Sequence, residues 1–168
     1  MRVLAVLLIA VAAVAAVLIH GREETWQLVF GPADLGAVDF QALERSGWPN
    51  DALACRRRVC PKSTPDVVPP IYAVPADELD AVLHAAVTLE PLIDRVDTSS
   101  AKHAGRYVQR SRLLRFPDTI SVRTIALGPK RSTVALYSRS KIGYSDMGAN
   151  KARLERWIKL LDELPKAK

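Results

Sequence analysis

Eight polar side chains between residues 110 and 150 have types and spacing that could do chemistry together: Arg110, Arg112, Asp118, Arg139, Ser140, Tyr144, Asp146 and Asn150. Guanidinium forks grip a carboxylate or phosphate through two parallel hydrogen bonds. A helix starting near Ser145 or Asp146 would add free backbone amides to such a site. The set therefore fits an anion or lipid-headgroup site. It fits better a structural network in which arginines on neighbouring strands neutralise the two aspartates and hold a loop. A third possibility is an enzyme using the Arg/Asp cluster around Arg139 and Asp146. A solvent-open cleft with Asp118 or Asp146 beside Tyr144 would favour catalysis. A dry apolar pocket between sheet and last helix would favour ligand binding.

Other chemistry finds little footing. There is no G-x-G-x-x-G, Walker loop, G-x-S-x-G or H-E-x-x-H pattern, so no cofactor is implied. The three histidines, His20, His84 and His103, are scattered and do not complete a metal set with the cysteines. His103 falls in a turn, a poor mount for a rigid base. Aromatics fall mostly on core faces, which argues against a nucleic-acid surface.

Cys55 and Cys60 are the only cysteines, in CRRRVC. Outside the cytoplasm they would close a small disulfide loop displaying three arginines. Inside, they would be free thiols. The spacing is not the C-x-x-C of thiol-disulfide catalysts.

The elements that must position the polar set follow from periodicity. Gly105–Phe116, Thr119–Leu127 and Ser132–Lys141 alternate as strands, with turns at Phe116-Pro117-Asp118 and Gly128-Pro129-Lys130-Arg131. Short connections predict an antiparallel meander. Leu154, Trp157, Ile158 and Leu161 define the apolar face of a final helix. Counting back puts Asn150 and Met147 on that face, with Ser145 or Asp146 as N-cap. Upstream, Ile71–Val74 reads as a strand. A helix starts at Pro75 and buries Leu79, Val82, Leu83 and Ala86, and Pro91 ends it. Leu92–Asp97 is another strand, followed by a polar turn over 98–104. The order β-α-β-β-β-β-α predicts an α+β fold, an antiparallel-dominated sheet with two helices on one face. The order is similar to a helix-grip arrangement.

Residues 1–20 hold an uninterrupted apolar run from Val3 to Ile19. It exceeds the usual signal core of about 7–15 residues, and no Ala-x-Ala site follows it. An uncleaved transmembrane helix is expected, with a cleaved signal sequence as the alternative. Arg2 before the run weakly places the N-terminus inside. That makes the domain periplasmic on an inner membrane. Residues 21–70 read as an extended arm, with Trp26–Phe30 as a short strand or an interfacial patch. Residues 71–165 form the α+β domain. Charge is uneven: residues 21–100 carry seven cations against thirteen acids, residues 101–168 sixteen against five. Two halves of opposite sign can neutralise each other on folding. A basic sheet face could instead meet anionic lipid or a membrane-protein partner.

RLLRFPDTISV, SRSKIG-x-SD-x-G-x-N, the following R-x-x-RW, and upstream GPADLGAVDF and PNDALAC together resemble the bacterial family called domain of unknown function 1499. The resemblance covers about Phe30 to Leu161. It implies an intact family fold and carries no activity with it. The expected protein is a membrane-anchored, envelope-facing domain that binds or scaffolds rather than catalyses, its partner an anionic or lipid-like ligand or a membrane partner.

Overall fold

The computed structural model describes residues 2–97 and 101–167, without the side chains of residues 16 and 18–20. Four helices and five strands follow in the order α1 (Arg2–His20), α2 (Arg22–Phe30), β1 (Asp51–Ala54), α3 (Ala76–Thr88), β2 (Ile93–Arg95), β3 (Ala104–Arg110), β4 (Pro117–Gly128), β5 (Arg131–Ser140) and α4 (Ala149–Leu160). The strands form one antiparallel sheet, β1-β5-β4-β3-β2. The fold is α+β, as expected. Part of the turn expected over 98–104 lies outside the described residues.

The meander β3-β4-β5 is where alternation predicted it. Residues 111–116, however, leave the strand. Arg115 takes a positive φ of 60°. Ser111 closes the loop, its amide donating to Phe116 O at 2.9 Å and its hydroxyl accepting from the Phe116 amide at 3.0 Å. Arg112 is thus a loop residue rather than a neighbour of Arg110 on a strand face.

Two other expectations are corrected. The strand foreseen at Ile71–Val74 is reduced to isolated bridges, Tyr72 pairing with Ser132 and with Lys166. Pro69, Pro70 and Pro75 lack the amides a ladder needs. The first strand is instead β1, supplied by the segment read as an arm. Trp26–Phe30 is helical, belonging to α2.

Each face of the sheet has its own core. On one, Leu79, Leu83 and Val87 of α3 and Leu154, Trp157 and Leu161 near α4 cluster with Ala52, Ala54, Tyr107, Ile120, Val134 and Leu136. The alternate residues Leu53, Ala135 and Tyr137 cluster with Phe40, Leu43, Cys55 and Cys60 on the other. A period of two requires this division. Side chains from the sheet tie down the segment before Phe40. Arg139 donates to the carbonyls of Leu35 and Gly36 at 2.8 and 3.1 Å, and Arg106 pairs with Asp34 at 2.8 Å.

The apolar N-terminal run is a helix, α1, but among the described residues no helix is long and apolar enough to cross a membrane. α2 is clamped to the 111–116 loop. Trp26 donates to Leu114 O at 2.6 Å and packs on Phe116, with ring centroids 5.0 Å apart. Glu23 bridges Arg110 and Arg115 at 2.9 and 3.1 Å.

Candidate functional site

The polar residues singled out from the sequence do not form one site. Asp118, Ser140 and Asn150 converge beneath α4. Arg110 is committed to Glu23 and Asp94. Arg139 is committed to the Leu35 and Gly36 carbonyls. Tyr144 is exposed and stacks edge-on against Trp48, with centroids 5.0 Å apart. Arg112 is exposed in its loop.

The organising group beneath α4 is Arg153, which was not among the residues singled out by type and spacing. Arg153 is buried, and all three of its guanidinium nitrogens donate hydrogen bonds. Nε donates to Gln109 Oε1 at 2.6 Å, Nη1 to Ser138 Oγ and Asn150 Oδ1 at 2.7 and 2.6 Å, and Nη2 to Asp118 Oδ2 at 2.6 Å. Asn150 is completely buried. Its Nδ2 donates to Asn50 O and Ser140 Oγ, both at 3.0 Å, and Ser138 donates to its Oδ1. One network therefore links α4 to β3, β4, β5 and the residue just before β1. A buried charge persists when it is paired and hydrogen-bonded, and this one is both.

Asp146 caps the first turn of α4 without occupying the N-cap position, which is Gly148. Its two carboxylate oxygens accept from the amides of Gly148 and Asn150 at 2.9 and 2.8 Å. Met147, placed on the buried face by counting back, is 98% exposed. Met147 and Gly148 both have positive φ, so the helical phase does not extend before Ala149. Asp146 thus spends its carboxylate on the cap, and Asp118 spends one oxygen on Arg153.

Asn150→Leu keeps the volume but strips Ser140 Oγ, Asn50 O and Arg153 of partners. Denaturant melts should show a loss of about 1–3 kcal/mol. The exposed control Lys151→Ala should stay within about 0.5 kcal/mol. Equal shifts for the two would refute the role given to Asn150.

Open clefts flank the network. One, of about 450 Å³, is lined by Gln109, Arg110, Arg112, Arg156, Glu90, Pro91 and Leu92. There Arg156 hydrogen-bonds Glu90 at 2.8 Å and holds that carboxyl below its usual range. A second, of about 340 Å³, is lined by Trp48, Asn50, Asp51, Tyr137, Arg139 and Ser140 among others. Burial pushes the Tyr137 hydroxyl far up, and it donates to Asp51 at 2.6 Å. On the α3 side, His84 Nδ1 meets the Tyr107 hydroxyl and Nε2 lies 3.4 Å from Asp80. Burial lowers the His84 pKa and raises that of Tyr107 to about 12. Tyr107 is wholly buried against Trp157, and the half-buried His84 and Asp80 edge the core beside it.

The structure joins Cys55 and Cys60 in a disulfide. Protein recovered from its native compartment and alkylated without reductant should show an unchanged intact mass. Two added alkyl groups would contradict the bond.

No described group of three or more His, Cys, Asp or Glu side chains is arranged to hold a metal ion. No curated protein matches the chain. A family model described as protein of unknown function (DUF1499) matches residues 41–161, from just before β1 to the end of α4. That span holds every strand and every member of the Arg153 network, and on that match the chain belongs to the DUF1499 family.

Proposed function

We propose a non-catalytic binding domain held at a lipid surface by α1. It faces the periplasmic side of an inner membrane and recognises anionic headgroups through the 111–116 loop. The observation that carries this is the composition of that loop. Leu113 and Leu114 are 76% and 46% exposed, beside the exposed Arg112. The loop is bolted to α2, where Leu28, Val29 and Phe30 are exposed as well, and α2 directly follows α1. Apolar tips flanked by arginine suit the boundary between headgroups and acyl chains. Exposed apolar side chains along α1, Val3 to Val14, supply the anchoring surface. The Cys55–Cys60 disulfide supports an oxidising compartment.

Full-length protein should remain with the membrane after carbonate washing. In nanodiscs containing phosphatidylglycerol, a nitroxide at Leu113→Cys should become lipid-accessible, and one at Lys130→Cys should stay in water. Equal water exposure at both positions would remove the loop from the lipid surface. Recovery of a soluble chain starting near His20 would remove α1 as anchor.

A further inference from the structure

A second cationic cleft lies at the opposite end of the sheet. The disulfide-closed loop from Cys55 to Cys60 and the β4–β5 turn enclose an open cleft of about 640 Å³. Arg56, Arg57, Arg58 and Arg131 line it, together with Val59, Val68, Ile71 and Leu127. No carboxylate is in that lining. Arg45, Arg106, Arg110, Arg153 and Arg156 each face a carboxylate in this fold. The side chains of Arg57, Arg58 and Arg131 have no hydrogen-bond or ion-pair partner among the described residues. Arg56 is steadied by donating to Pro69 O at 3.0 Å. Backbone bonds from Val59 and Cys60 to Arg56 O fold the loop tightly. Exposed Lys130 sits in the facing turn.

From this arrangement we infer that the cleft binds a phosphate-headed amphiphile. Unpaired guanidiniums that converge without a carboxylate leave a charge that a dianionic phosphate can neutralise, two forks at a time. Arginine loops tethered by a disulfide lose little freedom on binding. The apolar half of the lining gives the second part of the specificity. Val68 is 65% and Leu127 is 44% exposed, and an alkyl chain lying over them would withdraw that surface from water. A volume of this order fits one small ligand.

The site is distinct from the lipid-facing loop. β4 begins right after that loop and runs twelve residues to Gly128, about 40 Å at 3.3 Å per residue. The cleft sits at the far end, so its occupant is a single molecule presented away from the 111–116 loop.

The test uses the full chain in zwitterionic nanodiscs, titrated calorimetrically with dihexanoyl phosphatidic acid and, separately, with inorganic phosphate. The short-chain lipid should bind at least about tenfold more tightly than phosphate. Arg57→Gln combined with Arg58→Gln and Arg131→Gln should weaken both by at least about tenfold, and Arg112→Gln neither. Val68→Ser with Leu127→Ser should weaken the lipid and leave phosphate unchanged. All six positions are exposed, and circular dichroism melts verify that the variants fold. Equal affinity for lipid and phosphate would overturn the amphiphile assignment. So would binding of the short-chain lipid that ignores the triple change. Absence of binding by either probe would overturn the site itself.

Discussion

Arg153→Met should cost the domain about 3–5 kcal/mol. Methionine matches the length of the arginine stem but strands what the guanidinium served. Asp118 would remain half-buried with its charge uncompensated. Gln109 Oε1, Ser138 and Asn150 Oδ1 would each lose a donor. The loss is a large share of the roughly 5–15 kcal/mol that holds a typical domain. It should appear as a lower denaturation midpoint with an unchanged slope, followed by the fluorescence of buried Trp157. Adding Asp118→Leu should recover part of the loss, because removing both charges is far cheaper than orphaning one. A shift below about 0.5 kcal/mol for Arg153→Met would place Arg153 in solvent and dissolve the network.

Trp157→Ala should be comparably severe, about 3–5 kcal/mol. Trp157 is the largest fully buried side chain and stands edge-on to Tyr107, ring centroids 6.3 Å apart. It is packed in the cluster that joins α3, α4 and the sheet. Leu154, Leu161 and Tyr107 in the same cluster are themselves wholly buried, so the surroundings relax into the space only in part. Trp157→Phe keeps a ring in place and should lose less than half as much. Matching losses for the two variants would mean the contact to Tyr107 rests on the indole shape alone.

What could be read from residue order was whatever has a strong period. Strands β3 to β5 and the stripe Leu154, Trp157, Leu161 are long enough for alternation or helical spacing to show. The burial of Asn150 followed from that stripe. Arg153 was missed although it lies on the same stripe, three residues after Asn150. Pattern rules assign arginine to water, and only its partners on three strands make burial possible. A polar stripe member beside an amide was the available signal. β1 was missed because Asp-Ala-Leu-Ala is short and weakly β-forming, and its pairing partner lies far along the chain. The Arg110–Glu23 and Arg139–Leu35 contacts were illegible for the same reason. They join segments distant in sequence, and composition carries no record of distance.

Strand β1 has a consequence for how the molecule comes into being. Asp51 and Tyr137, neighbours across the sheet edge, are 86 residues apart. The hairpin β4–β5 can zip locally, whereas β1 must wait for a partner that is synthesised among the last strands. Closing so long a loop is paid for in entropy before any contact rewards it. During that interval the outer edge of β5 and the apolar side chains of β1 both lie open. A chain emerging N-terminus first therefore cannot finish its sheet until residue 140 is free. Whatever moves or shelters the chain up to that moment handles a protein with one unsealed edge.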